Sequence, residues 1–444
     1  MARNLASRPH VAGGVLFLLL WFLVVADLGL HAFVLRRAGE AILVLLILHA
    51  SWRASTHIRI MAGVLATATA VVAWQAGDWS AIDRGLGSAF AVAAFLPVIV
   101  LLRATVELSP AVAAVRERLT RMSRAERKAW MTGGAHLLAS ILTLGFVSVQ
   151  RPMLPADLDA AESRSLAECG VRGLGLSVLW SPFFVAAAIA GQLVPGVQVW
   201  QTVSIGLALA ALGGVVAHLM FNRELDLDSY LRALRRLVPI FLPTVLLVGT
   251  VVVVSGVTGW NVLQSVVVVI PLVCISYVCW RAAGKLRAVL ARVVDGAGRM
   301  GDEVLILTVS LVFSGAVAGV AMPAEVAQGL AVLADHPWLI ITLEVGLIGL
   351  LGVLGLHPLV TAGVVVPLTL SAGMPIAAPV LAHVVILAWS LSGMIAAWTL
   401  PVVVTAAAFD MPVRQLVFGS NVRFVLVFGL AACAALSLLN VILR

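Results

Sequence analysis

Charge is scarce in this chain of 444 residues: Asp, Glu, Lys and Arg together make up 11%, against 62% hydrophobic residues. A soluble domain has about a quarter of its residues charged, so that class is excluded. Lysine is nearly missing, with only Lys128 and Lys285, and arginine supplies most of a net charge of +8. Such sparing use of lysine points to a GC-rich bacterial genome. Cysteine is limited to Cys169, Cys274, Cys279 and Cys433, scattered and without a CxxC pair, so no zinc or disulfide framework follows. There is also no HExxH, no GxSxG and no Walker phosphate loop. The segment "GVRGLG" lacks the strand and helix that a dinucleotide fingerprint needs, and no cofactor is implied.

What is present is a succession of apolar runs of membrane-spanning length from Val11 to Leu443. They predict an all-α polytopic membrane protein with about eleven transmembrane helices. The first run follows Arg3 and Arg8 without an evident cleavage site, so it reads as an uncleaved helix. Basic residues cluster in short loops, as the positive-inside rule requires, and not as a nucleic-acid surface. The stretches 114–130 and 281–299 are the most basic and are expected in the cytoplasm of a bacterial inner-membrane protein.

The segment 131–154 is apolar for barely one crossing and is followed by Arg151, Arg164 and Arg172. A re-entrant hairpin keeps those three arginines inside, whereas a full crossing would export them. A second hairpin is expected at 339–371, where "GLHPLV" interrupts a long apolar run. Two broken helices are expected at 168–194 and 376–409, at "WSP" and "WTLP". His136 and His357, like Ser140 and Thr361, stand 221 residues apart, and Trp180 and Trp398 stand 218 apart. Half the chain is 222, so the organisation reads as an extra first helix (1–35) and two inverted repeats (36–222 and 223–444). The basic arms, 104–130 and 281–299, fall one in each repeat.

A broken span exposes carbonyls at the end of one half-helix and amides at the start of the next, with opposite partial charges. Paired breaks in two repeats are the sequence pointer to a transport site. The candidate substrate-binding residues are therefore Ser181 with Pro182, Thr399 with Pro401, Ser390 and Ser392 beside the second break, and His136 and His357 on the hairpins. Glu344 is an acid inside an apolar run and the candidate for proton coupling. The bland alternatives are kinked spans, hydroxyls bonded to their own helix and satisfied buried histidines.

These features resemble the ion transporter superfamily of secondary carriers, over nearly the whole chain in topology and at residue level within 131–200 and 339–420. The resemblance implies inverted repeats with hairpins and discontinuous helices, alternating access, a small organic anion as substrate, H+ or Na+ as coupling cation, and a homodimer in contact with membrane lipids. The Ser-Asn-Thr hairpin tips of the sodium-coupled dicarboxylate carriers are missing here. An integral membrane enzyme acting on lipid or glycan, or a non-catalytic subunit of a larger complex, are the alternative readings.

Overall fold

The computed structural model describes residues 9–110, 124–143, 146, 154, 158–223, 227–320, 322 and 324–444. Every regular element among them is helical. Unbroken apolar runs of this length suit helices, which satisfy their own backbone groups without water.

Four long helices come first: α1 (Pro9–Leu30), α2 (Phe33–Arg53), α3 (Thr56–Ala76) and α4 (Ser80–Val106). A short α5 (Arg124–Ala129) continues through a π-helical turn at Trp130–Gly134 into α6 (Ala135–Leu142). Then follow α7 (Ala160–Val178), α8 (Val185–Leu193) and α9 (Val199–Phe221). The second half begins with α10 (Leu227–Thr258), α11 (Val262–Ala282), α12 (Leu286–Gly298) and α13 (Gly301–Ala318). It continues with α14 (Ala324–Leu333), α15 (Pro337–Val353), α16 (Pro358–Ser371), α17 (Ala378–Ile395), α18 (Leu400–Ala408), α19 (Val413–Val417) and α20 (Ser420–Leu443).

Nine helical stretches among the described residues are long and apolar enough to cross a bilayer, which makes this a multi-pass membrane protein. Two of the eleven expected spans are not among the nine. Helix α2 carries Arg36, Arg37 and Glu40 in its first turns, and α7 carries Arg164, Glu168 and Arg172 before its break. Large apolar side chains such as Leu246, Val253 and Leu430 stay exposed on the helix surfaces, as lipid contact allows and water does not.

The helices pack in two groups. One holds α1–α4 with α11–α13, and the other holds α6–α9 with α15–α20; α13 joins them by packing along α16. Small residues set the close approaches. A Cβ on Gly85 of α4 would stand 2.4 Å from the Cα of Val312 on α13, so those backbones touch. The basic arm at 281–299 forms α12, which buries Val289, Val293 and Ala297 and packs on α1 and α4.

Helix ends carry the charge. Arg37 pairs with Asp83 at 2.7 Å and Arg84 with Asp78 at 2.6 Å on one face. On the other, Asp302 accepts the Ser55 amide at 3.2 Å. The segment expected as the first hairpin is described at 131–143, Phe146 and Leu154; residues 131–142 continue the α5–α6 helix, and the rest of 144–153 lies outside the described residues. At the second, α15 and α16 pack against each other across Leu354–His357, with Gly355 at φ +106° supplying a turn that a side chain would strain.

Candidate functional site

Helix is interrupted at 179–184 and at 396–399. The first divides a 19-residue α7 from a nine-residue α8, and the second an 18-residue α17 from a nine-residue α18. Their geometry differs in detail. Helix α7 tightens at its end, where Trp180 N donates to Ser177 O at 3.4 Å, and Pro182 sits in the irregular turn that follows. Helix α17 ends at Ile395 with Ala396 extended, and the chain re-enters helix after an extended Thr399. Pro401 lies in the first turn of α18, where its missing amide would have no partner in any case, so it starts a helix here instead of breaking one.

The hydroxyls of Ser181 and Thr399 both donate to backbone carbonyls, one on the neighbouring α6 and one at the end of α17. Ser181 Oγ donates to Ser140 O at 2.6 Å and accepts from Phe183 N at 3.3 Å, tying the end of α6 to the first break. Thr399 Oγ1 stands 3.1 Å from Gly393 O and 2.9 Å from Ala396 O, closing the end of α17. Neither α8 nor α18 has a side chain capping its first amides, so both half-helix starts keep their partial positive charge. The two first half-helices meet near their carboxyl ends. Ser390 Oγ donates to Gly175 O at 2.7 Å, and a Cβ on Gly175 would stand 2.1 Å from Met394 Cε. Helix α9 closes on the first break through Gly206, where a Cβ would lie 2.0 Å from Leu179 O.

Each candidate histidine stands beside a tryptophan of its own half. Trp180 donates its indole N–H to His136 Nε2, with the rings edge to face and centroids 5.6 Å apart. His357 caps α16, accepting from Leu359 N at 3.4 Å; its ring lies 5.0 Å from Trp389 and 6.5 Å from Trp398. Trp398 donates to Gly352 O at 2.9 Å. Ser392 spends its hydroxyl on Trp389 O within its own helix. Glu344 stands apart, about 12 Å before Gly352 along α15 at 1.5 Å per residue. It accepts from Thr369 on α16, and its second oxygen is buried without a partner among the described residues.

The halves are unequal in exposure. Trp180 is 5% exposed and Trp398 40%. Helix α8 packs against α4 and α11 of the other group, whereas the main contacts of α18 stay with α7, α17 and α19.

Two residues carry chemistry that the sequence reading missed. Arg172, counted there only as a charge kept on the cytoplasmic side, is 2% exposed inside α7. The available signal was its position four residues after Glu168 in a helical stretch. His383 is fully buried in α17, with Nδ1 2.7 Å from Pro379 O and Nε2 3.2 Å from Thr202 O on α9. As a histidine within a span it met the same criterion that singled out Glu344. No three His, Cys, Asp or Glu side chains converge as metal ligands among the described residues.

The fold thus defines a polytopic α-helical membrane protein in which two interrupted helical segments are in contact. No protein-family model matches the chain, and no curated protein matches it.

Proposed function

We propose that this protein is a secondary active transporter that moves a small organic anion across the bacterial inner membrane by alternating access, without chemistry on its substrate. The observation that carries the reading is the matched pair of breaks, divided 19 to nine and 18 to nine residues, whose leading halves touch at Ser390 and Gly175. Interrupted spans in contact are an arrangement for holding a charged ligand where lipid cannot.

On this reading α2 and the α7–α8 pair bring the spans to eleven, and the halves are inverted repeats of the ion transporter superfamily kind. The group of α1–α4 with α11–α13 is the scaffold of a homodimer, and the other group moves against it. The amides at the starts of α8 and α18 attract the anion, with Ser181, Thr399, His136 and His357 shaping the site. Glu344 exchanges the coupling proton, a role its buried and unpartnered oxygen supports. A packed α8 and a more exposed α18 correspond to one of the two alternating states.

The test is uptake of labelled small carboxylates into proteoliposomes. Accumulation by the wild type, with a severalfold loss in Ser181→Ala and Thr399→Ala proteins that still insert, is expected. Uptake unchanged in both variants would remove the breaks from the site, and no uptake or exchange of any carboxylate would end the transporter reading.

A further inference from the structure

Arg172 is a cation almost wholly removed from solvent, 12 residues into α7 and on the bundle side of that helix. No carboxylate lies within 4.0 Å of it among the described residues; its one hydrogen bond there runs from Nη2 to Cys169 Sγ at 3.2 Å, and Nε and Nη1 have no partner. Guanidinium stays charged in proteins, so burial does not relieve it by deprotonation. The acid nearest in sequence, Glu168, is otherwise engaged. It accepts from Arg164 Nε at 3.2 Å, from Ser420 N at 3.2 Å and from Ser420 Oγ at 2.5 Å.

The surroundings fit a planar acid group. Phe221 of α9 lies with its ring centroid 4.4 Å from the guanidinium carbon and Phe424 of α20 at 5.9 Å. Aromatic rings take up the faces of a guanidinium and leave its N–H edge, the part that binds a carboxylate through two parallel hydrogen bonds. Asn421 stands three residues before Phe424 and so on the same side of α20. It is fully buried, and neither its amide nitrogen nor its amide oxygen has a partner among the described residues. Arg172 and Asn421 are thus two buried polar side chains with atoms that have no hydrogen-bond partner among the described residues, on two helices in contact, whereas buried polar groups in native interiors are nearly always hydrogen-bonded.

We propose that Arg172 and Asn421 form a second, buried binding site for the carboxylate of the transported anion, nine residues before Ser181 and separate from the half-helix starts, an assignment that rests on the transporter reading above. The anion supplies the counter-charge that Arg172 lacks. Glu168 governs access. A cleft is lined by Arg164, Glu168, Gly419, Ser420 and Arg423, and its Glu168, bonded to Ser420, is one helical turn before Arg172 on α7. Gly419 keeps that contact tight, since a Cβ there would lie 2.2 Å from Glu168 Oε1. Glu168 is one turn from both Arg164 and Arg172, so it serves Arg172 as internal counter-charge once the anion has left.

The experiment is thermal unfolding of the full chain in detergent, titrated with acetate, lactate, succinate and citrate, with chloride and sulfate as controls. A ligand of the folded state raises the melting temperature with saturation. Saturable stabilisation of the wild type by at least one carboxylate is expected, lost in Arg172→Met and with apparent Kd raised about tenfold in Asn421→Ala. Without ligand, Arg172→Met should melt no lower than wild type, because it replaces an uncompensated buried charge with an apolar chain of similar length. No saturable shift with any carboxylate, or an unchanged Kd in the variants, overturns the site. If Arg172→Met fails to insert, undiminished affinity in Asn421→Ala alone overturns it. Uptake by proteoliposomes separates the two claims: transport with unaltered KM in Arg172→Met removes this site and keeps the transporter, whereas Arg172-dependent binding without uptake or exchange keeps the site and removes transport.

Discussion

Trp180 donates its indole N–H to Nε2 of His136, which makes that nitrogen an acceptor and leaves the proton of the neutral ring on Nδ1. The partner pair of the second half is looser. His357 lies 6.5 Å from Trp398, whose N–H goes to the Gly352 carbonyl instead. One half-helix junction is thus locked to its neighbour by a side-chain bond, and the other is held through backbone.

Trp180→Phe removes the donor while keeping most of the ring. Trp180 is 5% exposed, so the acceptor left behind gains little water, and a loss of about 1–3 kcal/mol is expected. Trp398→Phe, at a site 40% exposed, should lose about 1 kcal/mol or less. Thermal unfolding of both variants in one detergent checks the order, and equal losses would mean that the His136 bond contributes no more than the bond to Gly352.

Helix α9 contains a matched pair of glycines for testing its seat on the first break. A Cβ at Gly206 would lie 2.0 Å from Leu179 O, while one at Gly214 meets nothing within 4 Å. Gly206→Ala has to push backbone from backbone and should cost about 2 kcal/mol or more, in the range of overpacked sites. Gly214→Ala should be neutral or slightly stabilising, since alanine is the better helix former by about 1 kcal/mol. The comparison is folded yield and melting temperature of the two proteins.

The spans were legible because apolar length is a strong signal, and boundaries such as Val199–Phe221 follow the hydropathy closely. The breaks were legible from proline and hydroxyl residues, although Pro401 turned out to begin a helix and Pro182 to sit in a turn. The bonds between halves were not. Ser390 was chosen for its hydroxyl, but that it would reach Gly175, 215 residues earlier, depends on how two helices cross, which no local pattern encodes. Arg172 was misread for a related reason. Charge near a span end reads as belonging to the cytoplasmic side, and only packing against Phe221 and Phe424 reveals that the helix buries it.

Asp78 offers a pH test outside the spans. The hydrogen bond from Arg84 at 2.6 Å, helped by Ser80, holds its carboxyl down at about 2 against an ordinary 3.8. A lowered carboxyl stabilises the folded state above its ordinary value, and that contribution is lost as pH falls from about 4 through about 2. Carbon NMR of labelled aspartate should find this midpoint, and Arg84→Gln should move it back up. A midpoint at the ordinary value in the unaltered protein would mean that the α3–α4 connection does not hold this pair in solution.

Glu344 and Thr369 supply the test of coupling. The carboxyl accepts from the threonine hydroxyl between α15 and α16, and the other oxygen has no partner among the described residues. Glu344→Gln keeps the size and an oxygen acceptor but can never exchange a proton. If Glu344 carries the coupling proton, the variant should lose the stimulation of anion uptake by an imposed pH gradient while keeping exchange of internal for external anion, which needs no net proton movement. Thr369→Val removes the donor alone and should leave the gradient effect in place, with a loss of about 1–3 kcal/mol in stability for the bond to a buried acid. Gradient-stimulated uptake that survives Glu344→Gln would move coupling elsewhere. His383 is then the next residue to replace, because it joins α17 to α9 from a fully buried position through two backbone carbonyls.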